Sequence, residues 1–183
     1  MSDRSKSNRK SNTKWLFIIV FWSIITCGSI SLLSDMLLKS VNILVAFLIL
    51  GFIIIVGIIS DMLGVAVTVA QERSFHAMAS KRVSGAKLAI RLIKNADKAS
   101  TIFQDVIGDI CGIVSGSVGV LIAHKISYDF PDVHEAILNT IIGVLIGALT
   151  IGGKAVGKNL AINNGNNVLY RFCKLIYFFK RDR

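Results

Sequence analysis

Residues 101–126 read TIFQDVIGDICGIVSGSVGVLIAHKI. A helix needs about 20 mainly apolar residues to cross a bilayer, and this stretch supplies them. It nevertheless carries Asp105 and Asp109, four residues apart and so on one face of an α-helix. An acid at the centre of a span costs roughly 2.5–3.5 kcal/mol on insertion scales. Carboxylates kept there face protein or a wet cavity, which makes both of them candidate functional residues.

The rest of the chain has the same character. Of its 183 residues, 53% are hydrophobic, one is proline, and the mean hydropathy is +0.64. That composition indicates an all-α, polytopic membrane protein and excludes an ordinary soluble domain. Four segments suit transmembrane helices, at about 15–33, 42–60, 101–123 and 136–156. Residues 1–14 are Ser, Asn, Lys and Arg, a disordered basic tail with nothing to bury. Residues 15–183 form one transmembrane domain. The second apolar run continues past its span, and a straight helix from Val41 to Ala70 would be about 45 Å long. Tilt, or a break near Ser60, Asp61 and Gly64, is therefore expected.

Between spans two and three lies a polar, basic stretch, 71–100, which reads as a cytosolic connector of amphipathic helices. Val83, Ala86, Ile90 and Ile93 form its apolar stripe. After the run Asn163-Asn-Gly-Asn-Asn167, residues 168–180 are too short to span and are interrupted by Arg171 and Lys174. Their aromatic residues suit an interfacial helix.

The basic residues set the orientation. Nineteen of the 21 lysines and arginines fall before span one, between spans two and three, or from Lys154 onward. By the positive-inside rule that side is the cytoplasm. The reading is a multi-pass protein of the cell inner membrane with both termini cytoplasmic. This sorting accounts for the net charge of +10 without nucleic acid, and no groove-reading motif appears. The expected partners are the bilayer, anionic lipids of the inner leaflet along the connector, and a second copy of the chain. The homodimer would form through glycine faces: Gly108, Gly112 and Gly116 on span three, Gly143 and Gly147 on span four.

Little else carries chemistry. Cys27, Cys111 and Cys173 lack disulfide or metal spacing, and His76, His124 and His134 lack ligand spacing. Residues 152–159 almost fit a phosphate-binding loop, but they end in Asn159 where Ser or Thr belongs, and no strand precedes them. No nucleophile–base constellation appears, no cofactor is implied, and the chain does not read as an enzyme.

The intramembrane polar residues converge. Asp61 ends span two, Asp105 and Asp109 lie in the inner half of span three, and Lys154 lies at the inner end of span four. Two readings follow. In one, Lys154 neutralises an acid and the buried pair holds the helices in register. In the other, Asp61, Asp105 and Asp109, with the hydroxyls of Ser115 and Thr101, offer oxygen ligands to a transported hard cation such as Mg²⁺.

From Ile54 to Lys158 the layout resembles the transmembrane domain of the CorB/CorC/CNNM family of magnesium and cobalt transporters. Three stretches carry the resemblance. Gly85 to Asp97 looks like that family's helical connector. Ile107-Gly108-Asp109-Ile-Cys-Gly-Ile113 looks like its Ile-Gly-Asn-x-x-x-Asn motif. Gly153-Lys154-Ala-Val-Gly157-Lys158 looks like its Gly-Glu-x-x-Pro-Lys motif. The resemblance implies a shared fold and, more distantly, divalent-cation transport. Asp109 stands where the family has its first Asn, Ile113 the second, Lys154 its acid and Gly157 its proline. Asp61 lies close to the position of a metal-binding serine. The family's cytosolic CBS domains are outside the resemblance, so nucleotide regulation does not carry over. The alternative, from another class, is a non-transporting scaffold or regulatory subunit with a structural Asp–Lys pair.

Overall fold

The computed structural model describes residues 17–29, 32, 42–129 and 134–181, and every regular element among them is helical. Helix α1 is Phe17–Ser29, apolar but shorter than a bilayer crossing. The remainder of the expected first span and the basic tail lie outside the described residues. Helix α2 is Ile43–Val69. Three short helices follow: α3 (Glu72–Ser80), α4 (Ala86–Lys94) and α5 (Ala96–Thr101). A π-helical segment, Ile102–Gly108, leads directly into α6 (Asp109–Asp129), and α7 runs over Glu135–Arg181. Three helical stretches are long and apolar enough to cross a membrane: Ile43–Val69, Ala96–Asp129 and Glu135–Phe178.

Two details differ from the sequence reading. α2 does not break at Ser60, Asp61 or Gly64 but runs through them as one 27-residue helix. Its internal glycines fit because neighbours occupy the space a Cβ would take. A Cβ on Gly57 would lie 2.9 Å from Cys111 Cβ, and one on Gly64 would lie 2.5 Å from Gln104 Cγ. Close approach of helix backbones therefore offsets glycine's poor helix propensity. The second difference is at 163–167, where no turn separates an interfacial helix. The chain only kinks, with Asn164 at φ −130° and ψ 30°, and helix continues to Arg181. Gly165 sits where α7 crosses α2, its missing Cβ leaving room for Val69 Cγ2.

α2 is the central post. Along its first half it buries Ala46, Leu50 and Ile54 and exposes Leu44, Leu48, Phe52 and Ile55 on the other side. Helix α7 likewise exposes Ile141, Val144, Leu145, Leu149 and Ile151. Water would penalise such stripes at roughly 25 cal/mol per Å² of apolar surface, whereas hydrocarbon would not. Two cores form along the post. In the first, Leu50 and Ile54 of α2 meet Val114, Val118 and Ile122 of α6 and Ile142 and Ile146 of α7. In the second, Ala66 and Val67 of α2 gather Phe75, Ala89 and Ala99 of the short helices with Ala161, Leu169 and Cys173 of α7. Here the alanines let short helices approach the post closely.

Candidate functional site: an ion cluster between two cores

The polar residues of the long helices sit at the junction of these cores. Ile58 and Ile110 pack on the first, Met62 and Phe103 on the second. Between them α2 presents Ser60 and Asp61, both buried. The Asp61 side chain is 4% exposed, and α7 supplies two cations to it. Lys154 Nζ lies 3.4 Å from Asp61 Oδ1, and Lys158 Nζ lies 3.3 Å from Oδ2. Positions 154 and 158 are one helical turn apart, which is the spacing that lets two side chains of one helix straddle a carboxylate on its neighbour. Gly157, between them, faces α2 near Ile58 and Met62 and keeps the two helices close.

Lys154 also reaches span three, with Asp109 Oδ1 at 3.7 Å. It donates a long hydrogen bond, 3.5 Å, to the carbonyl of Gly108. Lys154 is 20% exposed and Asp109 67%, so one edge of the cluster is open. Two carboxylates and two ammonium groups balance in formal charge. Taking charges out of water costs several kcal/mol each, and only near contact with opposite charge offsets it.

The π-helical segment is tied to this cluster at both ends. Ser60 Oγ donates to the Phe103 carbonyl at 2.7 Å, and Lys154 points at the Gly108 carbonyl. A π turn is wider than an α turn and leaves carbonyls without regular partners, so outside donors stabilise it. Gly108 is required for the fit, because a Cβ there would lie 2.7 Å from Asp61 Oδ1.

The structure thus brings together Asp61, Asp109 and Lys154. Asp105 lies in the π turn and is exposed, and no ion pair joins it to the cluster among the described residues. Ser115 is buried one and a half turns or more beyond Asp109, where its hydroxyl donates to its own helix at Gly112 O, 2.8 Å away. Thr101 likewise donates to Asp97 O at 2.9 Å. Neither hydroxyl reaches the acids. Among the described residues, no three Asp, Glu, His or Cys side chains gather closely enough to hold a metal. Lys158 and Ser60 belong to the cluster although the sequence had not marked them as site residues. Their signal was present: Lys158 is four residues from Lys154, and Ser60 adjoins Asp61.

The glycine faces divide. Gly108, Gly119, Gly153 and Gly157 pack against side chains of neighbouring helices within the chain. Gly112, Gly116, Gly143, Gly147 and Gly152 have open space where a Cβ would be. Spans three and four therefore do not meet through the whole glycine pattern.

Compared with known protein families, curated proteins and solved structures, the chain matches none of them. The resemblance to the CorB/CorC/CNNM transporters rests on its motifs alone.

Proposed function

We propose that the chain is a multi-pass membrane protein of the scaffold or regulatory-subunit class, and that its Asp61–Lys154–Lys158–Asp109 cluster is a structural lock between the three long helices. One observation carries this reading: both oxygens of the buried Asp61 carboxylate are engaged by lysines of α7. A hard cation binds through vacant carboxylate oxygens. Here it would have to displace two ammonium groups that already supply the opposite charge. On this reading both termini and the short helices α3–α5 are cytoplasmic at the inner membrane, a topology supported by the sorting of the basic residues under the positive-inside rule. The open glycines of α6 and α7 offer close-packing faces to a second copy of the chain.

A second reading, divalent-cation (Mg²⁺ or Co²⁺) transport, draws on the open edge of the cluster. Asp109 is exposed beside the buried Asp61 and follows a π turn, a feature frequent at functional sites. The experiment that separates the two is uptake of Mg²⁺ and Co²⁺ into vesicles holding the purified protein. The lock reading expects flux no greater than in empty vesicles. Flux that rises with the protein and falls in Asp61→Asn or Asp109→Asn would establish transport.

A further inference from the structure

A second group of cations lies away from the lock, where the loop between α3 and α4 meets the end of α7. The loop is held in an unusual backbone. Arg82 has φ 55° and Gly85 has φ 87°. Gly85 is seated directly on α7, because a Cβ there would come within 2.9 Å of the Cys173 carbonyl and the Lys174 nitrogen. This seating creates two adjoining hollows. One, about 640 Å³, is lined by Ser80, Arg82, Ser84 and Lys87, with Tyr177 closing it. The other, about 360 Å³, is lined by Leu175, Phe178 and Tyr177, with Arg171 and Lys174 at its rim. Ser84 and Tyr177 belong to both, so the hollows are contiguous.

Among the described residues, no acid lines either hollow. Arg82, Lys87, Arg171 and Lys174 have no ion-pair partner among the described residues, whereas Lys154 and Lys158 are both paired. Four exposed cations beside an apolar, aromatic slot call for a ligand with an anionic head and an apolar tail. The end of a membrane-crossing helix is where such ligands are concentrated.

We propose that this paired hollow is a binding site for one anionic phospholipid. The phosphate sits in the groove of Arg82 and Lys87, and an acyl chain lies in the slot of Leu175 and Phe178. Arginine and serine donors suit phosphate oxygens, and charge-assisted bonds to them are the stronger kind. The site rests on the membrane placement of the long helices and not on the ion lock, so either can fail alone.

The test is lipid retention by the full chain in detergent. The protein is equilibrated with phosphatidylglycerol or phosphatidylcholine, and bound lipid is counted by native mass spectrometry. Phosphatidylglycerol is expected to be retained over phosphatidylcholine, and Arg82→Gln/Lys87→Gln to weaken its retention about thirtyfold. Arg91→Gln/Lys98→Gln removes the same charge from exposed positions on α4 and α5 and is expected to leave retention unchanged. Arg82→Lys/Lys87→Arg keeps the charge and the fold and is expected to keep the lipid. Leu175→Ala/Phe178→Ala is expected to weaken retention of the phospholipid as well, because it removes the walls of the acyl slot. Equal retention of the two lipids would overturn the proposal. So would equal losses in the groove and control variants, or displacement of the lipid by phosphate alone at matched concentration.

Discussion

The two cationic clusters of this protein handle charge in opposite ways. At the junction of the cores, Lys154 and Lys158 are met by Asp61 and Asp109, and the balance is closed within the chain. At the end of α7, Arg82, Lys87, Arg171 and Lys174 are exposed, and among the described residues no acid lines the hollows they border. On the proposed membrane placement, the difference follows depth. A lysine inside a bilayer must bring its counter-ion with it, since nothing else there can neutralise it at low cost. A lysine at the surface can take its counter-ion from lipid headgroups. A charge neutralised inside the chain points to architecture, and a charge left open points to a partner.

That contrast can be broken by mutation, most severely at the lock. Asp61→Leu leaves two lysines facing a hydrophobic residue, and it should cost about 3–5 kcal/mol of stability, the usual loss when one partner of a buried pair is removed. Denaturant unfolding of the protein in detergent would measure it. The two lysines should not be equal. Lys154 is mostly buried and touches two acids, whereas Lys158 is 46% exposed and touches one. Lys154→Met should therefore approach the loss at Asp61, and Lys158→Met should cost about 1 kcal/mol or less, as surface pairs do.

At the surface cluster the comparable change is at the backbone. Gly85→Ala forces a side chain into a left-handed conformation, roughly 1–2 kcal/mol, and into the Cys173 carbonyl. Protease cleavage in the 80–87 loop should become faster, with the long helices still intact. The smallest effect is expected at the open glycines. Gly143→Ala and Gly112→Ala meet nothing within 4 Å and should leave the monomer within about 0.5 kcal/mol of the parent. If a second copy packs on these faces, the same substitutions will weaken the dimer, which sedimentation in detergent would show.

Much of this arrangement was legible in the sequence. The apolar runs point to four spans, and three of them are helices long enough to cross a membrane, because membrane-length hydrophobicity is a strong and local signal, while the first is described only as the shorter Phe17–Ser29. The sequence positions predict that Asp61, Asp105, Asp109 and Lys154 converge, and all but Asp105 do. What the sequence missed lies in relations between helices. Their spacing predicts that Asp105 and Asp109 share one α-helical face, but Asp105 sits in the π turn and only Asp109 reaches Lys154. A π turn has no local signature. It is stabilised from outside, here by Ser60 and Lys154. The glycine pattern likewise told which residues are small but not which neighbour each would meet. Gly64 reads in the sequence as part of a break in α2, whereas in the structure it is, like Gly57, a contact point. The 163–167 run of asparagines marked a real irregularity, but packing of Leu169 and Cys173 against the second core carries the helix beyond it.

The central claim is that Asp61 and Lys154 exist for each other, and a double-mutant cycle tests it most directly. Unfolding free energies would be measured for the parent, Asp61→Asn, Lys154→Met and the double variant. The lock predicts that each single change is strongly destabilising and that the double variant recovers stability relative to their sum, with a coupling of about 1–3 kcal/mol. Additive losses, with no coupling between the two positions, would contradict it.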